Sequence, residues 1–143
     1  MSDSKQPDRA CLRFGWTALA IFATLGLTLE GLHLIKSPFY LQMHMRQDLW
    51  TLAHAHGTIL ALVNILFGLF VARWIMDASA RSRSSLALRA AGILMPAGFF
   101  LGGIGNSETD PSLAIILVPI GAVLLIYAAA SAALASWRNS ETR

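Results

Sequence analysis

The chain has little charge and almost no cysteine. Asp, Glu, Lys and Arg make up 13% of its 143 residues, against roughly 25% in soluble domains. So few charges cannot cover a water-facing surface, whereas a lipid-facing one needs no such cover. Cys11 is the single cysteine, so an internal disulfide is impossible. Nucleophile elbow, P-loop and dinucleotide fingerprint are all missing, and nothing assigns an enzymatic activity. The net charge of +3 is small and gives no basis for nucleic-acid binding. The two halves do not repeat one another.

Apolar residues are what the chain does have, at 55%. A membrane span needs about 20 of them in succession. Four segments qualify: 14–35, 50–75, 86–104 and 112–137. In lipid each must be a helix, because an isolated strand leaves its backbone unpaired. Short connections make consecutive helices antiparallel neighbours. The expected fold is all-α: one integral membrane domain, residues 1–143, forming an up-down bundle of four transmembrane helices. The first span is too long for a signal-peptide core and no small-residue cleavage site follows it.

Basic residues set the orientation. Lys5, Arg9, Arg13, Arg73, Arg81, Arg83, Arg89, Arg138 and Arg143 fall on one side, and only Lys36 and Arg46 on the other. The loop "NSETDPS" carries no basic residue. Both termini and a flexible linker over residues 77–85 are therefore expected on the cytoplasmic side, in a bacterial cytoplasmic membrane. Trp16, Trp74 and Trp137 fall at the inner interface, and Trp50 with Phe39 and Tyr40 at the outer one, as aromatic belts do.

With this topology all four histidines lie in the outer half or outer loops, with Glu30, Asn106, Glu108 and Asp110. Polar groups inside a span are costly and are candidate functional residues by default. Glu30 and His33 share one face of the first helix, three residues apart. His54 and His56 open the second span in "AHAHG" at a matching depth. Two steps of ~100° turn them ~200° apart, so they cannot hold one metal ion together. His54 shares its face with Gly57, Ala61 and Gly68, the small residues through which membrane helices approach. His56 shares its face with Ile59, Leu60, Val63, Phe67 and Phe70, a stripe expected to meet lipid or an apolar partner. Asn64 lies between the two faces.

"AHAHG" resembles the haem-ligand helices of the haem–copper oxidase subunit I superfamily and its small histidine-rich membrane relatives. The resemblance covers one helix of four. It implies that His54 or His56 is an axial ligand of haem b, with Asn64 near the cofactor, and a link to respiratory electron transfer. The residues themselves allow a transition metal ion as well. Glu30-x-x-His33 has the spacing of di-metal bundles but occurs once. Glu30, His33 and His54, with Glu108, form the candidate metal set. Met43-His44-Met45 is a weaker copper candidate, since thioether and imidazole suit Cu(I); an amphipathic loop on headgroups explains it more simply. That loop is also expected to hold a short interfacial helix, with Ser37 as cap and Pro38 in its first turn. Gly98 and Gly102 fit close helix packing or room for a flat cofactor. A structural or assembly subunit of a larger membrane complex uses the same polar residues as locks, without a cofactor. A small proton-coupled transporter component is a third reading. Expected partners are the bilayer and either further copies or a larger membrane complex.

Overall fold

The computed structural model describes residues 7–75, 77–107 and 109–140. Their regular elements are helical: α1 (Pro7–Leu34), α2 (Pro38–Leu41), α3 (His44–Trp74), α4 (Ala78–Gly102) and α5 (Leu117–Ser140), the last preceded by a 3-10 turn over Leu113–Ile116. All but α2 are long and apolar enough to cross a bilayer. Pro119 falls in the first turn of α5, where a missing N–H is tolerated.

Neighbouring helices run antiparallel. Gly15 of α1 lies against Ile65 of α3, and Gly26 against His54, so residue numbers rise in opposite directions. Gly98 of α4 meets Val118, and Met95 meets Gly121, in the same sense. Helices α3 and α4 pack together at the centre, α1 lies on α3, and α5 lies on α4; α1 touches α4 lightly and does not touch α5. The cross-section is a rhombus, with α3 and α4 on the short diagonal and α1 and α5 at the far corners. The expected bundle therefore has its four helices in chain order, but its first and last members do not close on each other.

Two connections expected between spans are largely helix instead. Helix α3 begins at His44, six residues before Trp50, and absorbs much of the loop. Helix α4 begins at Ala78, so most of the expected 77–85 linker is helix. The Asp77 carboxylate accepts hydrogen bonds from the Ala80 amide (2.6 Å) and the Ser79 hydroxyl (2.7 Å), an N-cap that starts the helix. The Ser79 bond first, and the Ala80 amide after it, hold the Asp77 carboxyl below its ordinary pKa. One turn later Ser84 and Ser85 are fully buried, and Ser85 Oγ lies 3.1 Å from Cys11 Sγ. Chain leaves α1 through a Schellman turn, Ser37 N–H to Leu32 O and Lys36 N–H to His33 O. Lys36 holds the left-handed position, φ 52°, where glycine is usual. The α2 turn forms with Pro38 at its start as expected, although Ser37 makes no side-chain cap bond.

The end of the bundle that carries α2 is an aromatic plug. Trp50 stacks on Phe100 (5.0 Å) and on Tyr40 (6.0 Å), and its Nε1–H donates to Phe100 O at 3.0 Å. Trp50 and Tyr40 are buried. This corrects their expected place in an aromatic belt; Trp16 and Trp137 are exposed on the outside of the bundle. Arg46 ties the plug together. Its Nε donates to Gly103 O at 3.0 Å and its Nη1 to Phe39 O at 2.6 Å, while the guanidinium lies 4.1 Å from the Phe39 ring centre. One side chain thus joins α2, α3 and the carbonyl end of α4, where a cation is also favoured. Arg46→Ala is expected to lower stability by about 1–3 kcal/mol, because two charge-assisted bonds go at once. Arg46→Lys should recover less than half, since an ammonium cannot replace the fork. Thermal unfolding in detergent checks both; a melting curve unchanged by Arg46→Ala would remove the clamp from the account.

Candidate functional site

Helix α3 is buried over a wide arc because it packs on α1 and α4 at once. The small face behaves as expected: Gly57, Ala61 and Gly68 are all buried. The opposite stripe does not. Leu60 and Phe67 are buried against neighbours, while Ile59 and Val63 are exposed. The two histidines lie at the two edges of the buried arc. His56 is half-buried rather than on the outer face: its ring packs on Phe99 of α4, centroids 4.8 Å apart, and its Nδ1–H donates to Leu52 O at 2.9 Å. His54 lies on the α1 seam.

His54 reaches across that seam to the backbone of α1. Its Nδ1 is 2.8 Å from Phe22 O. A carbonyl can only accept, so Nδ1 carries the proton, and in the neutral imidazole this leaves the lone pair on Nε2. The ring fits because position 26 is glycine: any Cβ there would collide with the imidazole. His33, in the last turn of α1, uses its Nδ1 in the same way, donating to Leu29 O at 3.2 Å. It also meets the Tyr40 ring edge-on, centroids 5.0 Å apart.

His54, His33 and Glu30 line one open cleft of about 380 Å³ between α1, α2 and α3, with Tyr40, Thr51 and Gly26. Glu30 and His33 are exposed at its rim. The sequence placed these three at one level, and the fold puts them around one cavity. It does not join them directly, since both Nδ1 atoms go to carbonyls rather than to the Glu30 carboxylate. Among the described residues no three His, Cys, Asp or Glu side chains are gathered tightly enough to hold a metal ion. A ready-made three-ligand site is therefore not present there. Glu108, the fourth expected ligand, lies outside the described residues.

The remaining candidates lie elsewhere. Asn64 is fully buried between α3 and α4, its Nδ2 donating to Leu60 O (2.9 Å) and reaching Leu88 O (3.4 Å). Its Oδ1 has no partner. Asn64 is not part of the cleft. Met43 precedes α3 in extended backbone, and His44 and Met45 are its first two residues. Successive helical side chains diverge by ~100°, and His44 is exposed, so the triplet forms no copper cradle. A Cβ at Gly98 would meet Val118 Cγ2 at 2.8 Å; this glycine serves helix packing and leaves no slot for a flat cofactor. Sequence reasoning missed Tyr40 and Thr51 as cleft residues, because the α2 turn alone brings Tyr40 back over His33.

Compared with models of protein families, with curated proteins and with solved structures, the chain matches none.

Proposed function

We propose that this protein is a membrane subunit that holds an imidazole-ligated metal centre in the cleft between α1 and α3. The observation that carries the reading is the His54 Nδ1–H bond to Phe22 O over Gly26. A metal ligand must be neutral imidazole with one lone pair free. Metal-ligating histidines fix that tautomer by donating the other ring N–H to a carbonyl or carboxylate. His54 and His33 both do so, and both line the cleft. Two histidines suit the axial positions of haem iron better than they suit zinc, which takes three or four protein ligands. Glu30 at the rim supplies negative charge beside such a centre. The "AHAHG" resemblance points the same way, toward haem b and respiratory electron transfer, for His54 or His56, and of the two only His54 lines the cleft. Protein purified from haem-sufficient cells should show a Soret band; metal content without that band identifies a bare transition metal ion instead. Protein that is colourless and metal-free, and takes up neither haem nor metal on reconstitution, overturns the reading.

A second reading has its own observation. His54 and His56 each seal one seam of α3, against Phe22 O and against Phe99. On that reading the H-x-H pair is a two-sided spacer, in a structural subunit whose exposed α1 and α5 faces meet other chains.

The four apolar helices cross a bacterial cytoplasmic membrane with both termini inside. The support is the distribution of basic residues, nine against two. The structure adds a reason for one exception, since Arg46 is engaged by two carbonyls. Alkaline-phosphatase fusions should be inactive at Ser82 and active at Ser107. An active fusion at Ser82 would invert the topology.

A further inference from the structure

We infer that the α1–α4 edge of the rhombus is a binding site for one anionic phospholipid, its acyl chain lying in an apolar groove and its phosphate between Arg13 and Arg89. The groove has a volume of about 410 Å³. Phe14, Ile21 and Leu25 of α1 face Ile93, Pro96 and Phe100 of α4 across it. Almost no polar surface lines it, and Thr17 carries the one side-chain hydroxyl on its walls. It exists because α5 packs on the far side of α4 and never reaches α1.

The two walls are in register. Phe14 lies against Gly92, where a Cβ would come within 2.8 Å of its ring. Leu25 and Phe100 both pack on the same aromatic plug at the other end. From Phe14 to Leu25 the groove runs about 16 Å at the helical rise of 1.5 Å per residue. One leaflet of a ~30 Å hydrocarbon core is about that thick. The groove is thus as long as one leaflet is deep.

Its two ends differ in charge. One turn before Thr17 stands Arg13, and one turn before Ile93 stands Arg89, an arginine on each wall at the same end. Arg13 is exposed. Arg89 spends its Nε on Ser85 O at 3.3 Å, which leaves both terminal nitrogens of the guanidinium for another acceptor. No carboxylate pairs with either arginine among the described residues. Trp16, exposed on α1 beside this mouth, suits headgroup level. A phosphate diester matches two guanidinium forks in charge and geometry, and the chain below it needs only an apolar channel. A helix of a second copy fits the groove but leaves the arginines unanswered, which is why a lipid is the better occupant.

This inference rests on the helices being membrane spans and not on the metal centre. The test uses full-length protein that resists carbonate extraction from membranes, which establishes the spans first. Spin-labelled phosphatidylglycerol and phosphatidylcholine are then compared in reconstituted vesicles. About one immobilised phosphatidylglycerol per chain is expected, with little phosphatidylcholine. R13Q/R89Q should weaken its retention roughly 10- to 30-fold, at about one tenfold step or less per arginine, while R83Q/R138Q at the same end should not. Ala97→Phe, which fills the groove and leaves the arginines, should also release the lipid. Equal binding of the two lipids, or retention unchanged by R13Q/R89Q in protein with the wild-type circular-dichroism spectrum, overturns the site. So does efficient copper-phenanthroline cross-linking of Ile93→Cys between two chains, which would place a second copy in the groove.

Discussion

His54→Ala should abolish the cofactor signal and loosen α1 from α3, whereas His56→Ala should spare the cofactor. The two histidines are separated by one residue, yet they serve different seams. Alanine at 54 removes the candidate ligand and also the only side-chain bond from α3 to the α1 backbone that is present among the described residues. The structural loss is about 1–3 kcal/mol, from one hydrogen bond and the volume of the ring over Gly26. Loss of the absorption band alone would not separate a missing ligand from a disordered cleft. His54→Gln does separate them. Its amide N–H can still donate to Phe22 O, so the melting temperature should stay near wild type, and it offers no imidazole nitrogen to iron. A stable His54→Gln protein without the Soret band supports the metal centre. A variant that keeps the band excludes His54 as the ligand. If His56→Ala removes the band and His54→Ala does not, the centre belongs to the α3–α4 seam, beside Phe99.

How far these seams are legible in the sequence depends on which residue carries the signal. Small residues inside a span leave few explanations other than close approach, so the Gly57, Ala61 and Gly68 face could be read directly. That Glu30, His33 and His54 turn toward one α1–α3 cleft could be reached by counting residues along two antiparallel helices, whereas the seating of His54 beside Gly26 and Phe22, about two turns along α1 from His33, could not. The place of His56 does not follow. A helical wheel gives the angle between two side chains but not the width of the buried arc. Helix α3 touches two neighbours, so Leu60 and Phe67, ~20–40° from His56 on the wheel, are interior as well. Trp50 and Tyr40 mislead for a related reason. An aromatic at the end of an apolar run is read as a headgroup residue, and only the turn at Pro38 and the space left by Gly103 just past α4, where a Cβ would meet Trp50 Nε1 at 2.8 Å, reveal that these rings face inward. A cap such as Asp77 was available in the sequence, but four serines and two arginines after it imitate a flexible linker. What makes that stretch helical is tertiary, the burial of Ser84 and Ser85 beside Cys11.

The close approach of α1 to α3 should make Gly15 the least replaceable residue of that seam. A Cβ at position 15 would lie 2.6 Å from Ile65 Cγ1, 2.8 Å from Ala61 O and 3.0 Å from Ile65 N. The last two atoms belong to the backbone of α3 and cannot rotate away. Relief requires the two helices to separate along the whole seam, which includes the His54–Phe22 O bond a few turns on. At Gly57 the obstacle is the Phe22 ring, a side chain with some freedom to turn. Val63 lies on the exposed face of the same helix, where added volume meets no neighbour. Overpacking in a filled interior costs about 1–3 kcal/mol and sometimes more. Gly15→Ala should therefore destabilise by about that amount, and Gly15→Leu should prevent assembly of the bundle. Gly57→Leu should fall between these two, and Val63→Leu within about 0.5 kcal/mol of wild type. Thermal unfolding in detergent, with size-exclusion recovery for variants that do not fold, ranks the four. Equal tolerance of Gly15→Leu and Val63→Leu would mean that α1 does not lie against α3 in this register, and the cleft built on that register would go with it.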